Sequence, residues 1–376
     1  MKAELIYQDH NSNKFWRITV TGNEHTVTYG RVGANGTSKT KVFADEAKAL
    51  KDAQKLIRVK KGKGYIEATA KSHIVRDSYT LVGKPVTDFG STMNPATAVK
   101  VLSGYDEKLK VVNKLDKLAK QPNIGEMDTL VIGAWQDAHD PISTQILDKL
   151  VELKDTFSGL KHLFIGDMDS EECEMSWIVQ ANYTNFYQHF PALETFGVRG
   201  GESLKLGKID LPNLKNLIIE TGGLNSEVIS DIVESNLENL EHLEIWLGTD
   251  DYGCTIKPED LTPIINGNYP NLKYLGLKNY HLQNDLAAAL QEASILKTIE
   301  TLDLSMGTLT DKGAEALYNN DALLELKHIN CRYHFISDKW QKQLKEKFAT
   351  QNINLRDAEE ADEYDDEVYY YVEIGE

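Results

Sequence analysis

Residues 167–174 place five carboxylates, Asp167, Asp169, Glu171, Glu172 and Glu174, within eight positions. Acids in the form D-x-D-x-E suit a calcium loop, since the ion takes about six to eight oxygen ligands. The glycine and the twelfth-position glutamate of such a loop are missing. Ser170-Glu171-Glu172 also reads as a helix start, where acids complement the dipole. Trp177, just beyond, is expected to pack. Ten histidines are scattered without H-x-x-x-H spacing, and no G-x-S-x-G occurs. Cys173, Cys254 and Cys331 lie far apart, with neither zinc nor disulfide spacing. The expectation is a non-enzymatic chain with no cofactor, no metal and no catalytic residue.

Charge chemistry is the stronger signal. Residues 1–70 hold 13 Lys/Arg against 7 Asp/Glu, while the remainder holds 28 against 51. A basic head and an acidic body imply different partners for each, or contact with one another. In the head, Tyr29, Arg31, Lys39 and Lys41 are the candidate nucleic-acid residues, with Lys60, Lys61 and Lys63 as a further basic run. Arg31 could equally bond within its own hairpin. Lys60 to Lys63 read better as a solvated face. Gly30, Gly33 and Gly36 are spaced by three, so they do not form G-x-G-x-x-G and read as turn formers.

Those residues need a β-rich frame. Phe15–Val20, Thr26–Tyr29 and Lys39–Phe43 are strand-like, with turns at Gly22-Asn23 and Asn35-Gly36. Asp45 starts a helix with Ala47, Leu50, Ala53 and Ile57 along one side. On N-K-F-W (13–16), Y-G-R-V-G-A-N-G (29–36), F-A-D-E-A (43–47) and K-G-Y-I-E (63–67), residues 1–70 resemble a bacterial WGR domain. That resemblance implies contact with DNA, as the module makes near strand breaks in eukaryotic poly(ADP-ribose) polymerases. Tyr29 stands where the signature tryptophan would be and offers a smaller stacking face. Trp16 is expected in the core.

Residues 71–126, punctuated at Gly83-Lys84-Pro85 and Met93-Asn94-Pro95, read as a linker and cap with helical runs at 95–102 and 105–119. From Met127 an L-x-x-L-x-L pattern recurs, starting at Met127, Leu160, Leu193, Leu214, Leu240, Leu272, Ile299 and Leu326. A ninth unit around Ile353 and Leu355 is weak. Helix-length segments at 142–153, 173–190, 226–235 and 282–292 lie between. The pattern predicts an α/β fold over 127–356: leucine-rich repeats in a curved solenoid, with a parallel inner sheet and outer helices. I-G-A-W (132–135), G-D-M-D-S-E-E-C-E-M-S-W-I (166–178), F-G-V-R-G-G (196–201) and L-D-L-S-M-G-T-L-T-D-K-G (302–313) are similar to a bacterial family that joins a WGR module to such repeats. The likeness implies a domain arrangement and no particular activity.

In each unit the third, fifth and seventh residues face outward on the concave sheet. These columns contain His162, His242, Tyr274 and His328; Glu244 and Asp303; and Arg199, Glu220, Trp246, Lys278 and Arg332. An exposed Trp246 among paired opposite charges has the composition of a protein interface, though an ordinary solvated face is the competing reading. A protein partner there is the first functional expectation, with nucleic-acid binding through residues 1–70 as the alternative. Residues 357–376 hold ten acids and no Lys or Arg. Their middle is expected to be solvated, and the last eight residues to return and cover the final repeat or the sheet edge. No apolar run reaches eighteen residues and no signal-peptide pattern opens the chain, so a cytoplasmic, non-membrane protein is expected.

Overall fold

The computed structural model of the chain describes residues 1–9, 12–31, 36–61, 63, 65–67, 75–77, 80–90, 95–136, 138–365 and 367–375. Gly33, Asn35, Met93 and Asn94 lie outside this set, so the turn at Asn35-Gly36 is described only at Gly36, and Met93-Asn94-Pro95 only at Pro95. Two compact units divide the chain: Met1–Thr87 with Ala96–Ala98, and Asp88–Pro95 with Val99–Glu376.

The first unit carries a five-stranded antiparallel sheet of β1 (Lys2–Asp9), β2 (Ser12–Thr21), β3 (Glu24–Arg31), β4 (Thr37–Val42) and β5 (Ile66–Glu67) in the order β4-β3-β2-β1-β5. Helix α1 (Glu46–Lys61) covers one face. Alternation explains the core: Leu5, Trp16, Ile18 and Val20 point to one side and meet Ala49 and Ala53. The buried helix positions are thus Ala49 and Ala53, with Leu50 and Ile57 half-buried, while Ala47 is exposed. Asp45 starts the helix, its Oδ1 accepting from the Lys48 N–H at 2.8 Å. Arg58, Lys60 and Lys61 fill the last turn, where cations suit the dipole. Strand β1, overlooked in the sequence, is hidden by its mixed polarity. Short strands β6 (Arg76–Asp77), β7 (Thr80–Leu81) and β8 (Lys84–Asp88) form an antiparallel meander beyond it.

The second unit is built on a parallel sheet. Its strands are β9 (Ala98–Val101), β10 (Thr129–Gly133), β11 (His162–Asp167), β12 (Thr195–Arg199), β13 (Asn216–Glu220), β14 (His242–Gly248), β15 (Tyr274–Tyr280), β16 (Thr301–Asp303) and β17 (His328–Asn330), each paired with its neighbour in sequence. The register lines up Leu130, Leu163, Phe196, Leu217, Leu243, Leu275, Leu302 and Ile329. These are the fourth positions of the sequence pattern. One continuous core runs beneath them, including Cys331.

Helices α2 (Val111–Leu118), α3 (Ile142–Glu152), α4 (Ser226–Glu234), α5 (Thr262–Ile265), α6 (Gln283–Ala289), α7 (Asp311–Tyr318) and α8 (Asp338–Lys347) fill most connections. Two expected helices differ. Residues 98–101 are strand, because A-V-K-V alternates and pairs with β10. The 173–190 segment holds only 3-10 turns, at Met175–Trp177 and Tyr187–His189, with bridges from Val179 and Asn182 to 202–205 between them. Its aromatic residues Tyr183, Phe186, Tyr187 and Phe190 pack around Phe196 instead of forming a helical stripe.

At the strand entrances runs a ladder of alternating charge: Lys161, Glu194, Lys215, Glu241, Lys273, Glu300 and Lys327 each precede a strand. Contacts of 3.2 Å (Lys161–Glu194), 2.6 Å (Lys215–Glu194), 2.5 Å (Lys273–Glu241) and 2.8 Å (Lys327–Glu300) join neighbours. A parallel sheet with sequential neighbours places equivalent residues side by side, so alternating sign keeps like charges apart. A last strand-like contact follows β17, where Asn354 bonds to both Ile329 and Cys331 through the backbone. Further along, Tyr333 donates its N–H to the Arg356 carbonyl at 3.0 Å, and His334 forms a parallel bridge with Ala358.

Candidate functional site

Tyr29, Arg31, Lys39 and Lys41 all project from the helix-bearing face of the first unit's sheet. The antiparallel register fixes this: Tyr29 is opposite Trp16, Arg31 opposite Lys14, Val27 opposite Lys39, and His25 opposite Lys41. All four candidates are exposed, Tyr29 by 39%. Gly30 and Gly36 bring the strands close here. A Cβ at Gly30 would sit 2.9 Å from the Gly36 Cα, and Gly36 has φ +73° with the Phe15 ring against it. Glycine is therefore needed beside Tyr29 and Arg31.

The structure adds Lys14 to the group and draws in Lys60 and Lys63 from the basic run, where a solvated face was the preferred reading. Lys60 Nζ lies 4.4 Å from the Tyr65 ring centroid and 6.0 Å from that of Trp16. Partial burial, then repulsion from Lys63 and Lys14, lowers its pKa, with Tyr29 acting in the opposite sense. The charges of Lys63 and Lys14 act on Lys60, with Tyr29 also within reach, and such a surface suits an anion. Sequence reasoning passed over Lys14. Its place two residues before the buried Trp16 was the available signal, because alternation puts both on one face. Lys41 is partly committed elsewhere: its Nζ is 3.6 Å from Asp52, which also lies 2.8 Å from His25 Nε2.

The outward columns of the second unit behave differently. Trp246, expected to be exposed, is only 3% exposed. Glu220, His242, Tyr274, Asp303 and Arg332 are also buried, and His162, Arg199, Glu244, Lys278 and His328 are half-buried. Side chains lie flat across the face instead of standing out from it. Gly197 makes room for the Phe164 ring, and Gly276 for the Tyr274 ring, where a Cβ would collide.

Many of the polar groups there bond one another, though His242 Nε2 and Thr301 Oγ1 are buried without a hydrogen bond. Arg199 bonds Glu220 at 2.8 Å and also reaches the Met168 carbonyl. Glu244 accepts from Lys278 at 2.9 Å and from Trp246 Nε1–H at 2.8 Å, and lies 3.4 Å from His242 Nε2. The His242 and Tyr274 rings stack at 4.1 Å. Tyr274 donates its hydroxyl to Asp303 at 2.8 Å, and Asn330 Nδ2–H donates to the same carboxylate at 2.8 Å. Burial would push the Glu244 pKa up. Lys278, then His242 and Trp246, outweigh it and hold Glu244 well below the carboxylate range. Burial likewise opposes the charge on Lys278, but Glu244 and Asp303 raise its pKa. His162 Nδ1 lies 2.9 Å from Thr195 Oγ1, and His328 is shifted toward neutral by burial.

The carboxylate run at 167–174 is also used up locally. Asp167 pairs with Lys100 at 2.9 Å, and Asp169 Oδ1 accepts from the N–H groups of Glu171 and Glu172 at 3.0 Å. No group of three or more potential ligands that could hold a metal occurs among the described residues. Trp177, expected to pack, is 54% exposed and edge-on to His139 at 5.1 Å. No helix among the described residues is long and apolar enough to cross a membrane.

A small antiparallel β domain followed by a mostly parallel α/β sheet defines the class, and comparison supplies the kinship. The WGR domain family matches residues 1–72. Two proteins of Escherichia coli (strain K12) share that region: the uncharacterized protein YfeS, 49% identical over 67 residues, and protein YehF, 44% identical over 79. These matches take in 18% and 21% of this chain and 28% of each relative, so the whole-length activities of those proteins are not comparable with this one. The crystal structure of a Bacteroides fragilis protein, a structural-genomics target, matches throughout. It is 33% identical with a TM-score of 0.72, covering 100% of this chain and 99% of that one. The chain belongs to the same family as that Bacteroides protein and carries a WGR domain at its N-terminus.

Proposed function

We propose that the chain is a non-enzymatic binding protein that engages a nucleic-acid backbone through its WGR domain. The observation that carries this is the set of exposed residues Tyr29, Arg31 and Lys39 on the helix-bearing side of the first unit's sheet, with Lys14, Lys60 and Lys63 adding positive charge. Phosphate contact by lysine and arginine releases counterions, and a tyrosine face stacks on an unpaired or terminal base. The acidic remainder of the chain repels polyanions and confines contact to this face. A cytoplasmic location, with all three cysteines free and buried, fits the reading. The test is binding of intact and nicked duplex DNA by the full chain, with Arg31→Ala beside it. Binding to the nicked duplex that weakens in the variant supports the reading. No binding at low salt removes it.

A second reading concerns residues 127–356, which we interpret as about eight leucine-rich repeats and a weak ninth, forming a curved body that holds a protein partner. The eight aligned apolar positions favour it. Because the sheet face is internally paired, the partner surface lies at the strand exits. Capture of one protein by the full chain, unaffected by nuclease, tests this reading.

A further inference from the structure

At the strand exits, three equivalent positions adopt an unusual backbone. Asn279, Met306 and Tyr333 are each the eighth residue of their units and have φ of 55°, 71° and 59°. Only asparagine tolerates this region readily. Each of the others costs about 1–2 kcal/mol. Strain of this kind persists where the surroundings require it, and it often marks a ligand clamp. Here all three residues hold the same object, the chain's own C-terminus.

Residues 371–375 cross these exits, with a bend at Glu373. The Tyr333 hydroxyl donates to the Tyr371 carbonyl at 3.2 Å. Glu373 donates its N–H to the Met306 carbonyl at 2.9 Å, and its carboxylate pairs with Arg332. Ile374 donates its N–H to Asn279 Oδ1 at 3.1 Å, and its carbonyl accepts from Asn279 Nδ2 at 2.5 Å. The Ile374 side chain packs among Met175, Trp246 and Met306. Gly375 lies against Gly222, where any side chain would strike its carbonyl, and beside the Tyr252 ring. Most of this recognition is through the backbone, with one charged and one apolar pocket. The tether behaves oppositely: β18 (Asp362–Tyr364) and β19 (Glu367–Tyr369) form a hairpin exposed throughout its described residues.

We propose that this rim is a peptide-binding site for a partner protein, and that residues 371–375 occupy it in cis. The partner supplies a segment with an acidic residue for Arg332, an aliphatic residue for the Met175–Trp246–Met306 pocket, and a glycine to fit beside the Tyr252 ring. Recognition of a peptide segment through its backbone does not depend on that segment being tethered. A tethered occupant acts as a competitor at high effective concentration, so the partner binds when its own segment outcompetes the tail.

The inference rests on the partner-binding reading of residues 127–356. The probe is a labelled peptide of residues 369–375, YYYVEIG, titrated by anisotropy into the full chain and into a full chain carrying Glu373→Ala and Ile374→Ser. The tail variant is expected to bind at least ten-fold more tightly than the wild type. Adding Arg332→Ala should lower that affinity at least ten-fold. Equal binding by wild type and tail variant, or indifference to Arg332→Ala, overturns the proposal. If the tail variant fails to fold, hydrogen exchange in the wild type decides. Excess peptide should speed exchange at 371–375, and unchanged exchange overturns the site. A wild-type dimer dissolved by the peptide would make the occupant a second copy and overturn the partner assignment. Capture of a partner that ignores Glu373, Ile374 and Arg332 would sink the rim while sparing the broader reading.

Discussion

Asn279 and Ile374 are 95 residues apart, yet they bond as adjacent strands do, one amide side chain serving both backbone groups of the other residue. Asn279 can do this because its positive φ turns its side chain along the strand exits. Replacing it with Ala removes the two hydrogen bonds to Ile374 and a longer one to the Thr221 carbonyl at 3.5 Å, and leaves a Cβ in a region alanine avoids. A loss of about 2–3 kcal/mol is expected from those terms together. Asn279→Gly keeps the backbone and should cost about 1 kcal/mol less. Denaturant melts give the free energies, and hydrogen exchange should rise at 371–375 in both variants. Protection unchanged there would mean the amide does not hold the tail.

The Glu244–Lys278 pair offers a test of the sheet face. Lys278→Met leaves a buried carboxylate without its cation and should cost about 3–5 kcal/mol. Adding Glu244→Gln should recover much of that loss. If the single variant is as stable as the wild type, the pair carries no weight in the fold.

Glu244 also sets an acid dependence. Its folded pKa is depressed below the unfolded carboxylate value of about 4.3. The stability it contributes is therefore complete above that value and is lost as pH falls toward the folded pKa. Stability measured between about pH 5 and pH 3 should fall less steeply in Glu244→Gln than in the wild type. Parallel curves would contradict the assignment.

The charge ladder predicts a smaller, salt-sensitive effect. Glu241→Lys places three lysines in succession with Lys215 and Lys273. These groups are substantially exposed, so the expected loss is about 0.5–1 kcal/mol, shrinking as salt rises. A salt-independent loss would point to packing instead.

How much of this was legible in the sequence depends on how local the cause is. The fourth-position apolar residues aligned in the sheet as spaced, because burying one stripe per unit leaves the chain little choice. Trp246 was misread because exposure depends on neighbours remote in sequence: Lys278 and a tail more than a hundred residues away. Gly197 and Gly276 were visible in the outward columns, and a glycine there signals that a neighbouring ring lies flat. The last eight residues were expected to cover the final repeat or the sheet edge, and 371–375 bond to Asn279, Met306 and Tyr333. They cross several strand exits instead of capping one edge, a path set by Asn279, Met306 and Tyr333, whose backbone conformation no composition reveals. In the head, β3 and β4 carried their candidates to one face by simple alternation. Lys60 needed the fold, since only the helix brings it over Tyr65 and near Lys14.

The most direct test of nucleic-acid binding is its salt dependence in the full chain. The logarithm of the affinity for a nicked duplex, plotted against the logarithm of salt concentration, has a slope of about −0.9 per phosphate neutralised. The wild type is expected to show a slope of about −3 or steeper, and Lys14→Gln, Lys60→Gln and Lys63→Gln combined should flatten it by about 2 or more. No binding at about 50 mM salt, or a slope that the three substitutions leave unchanged, would contradict the account.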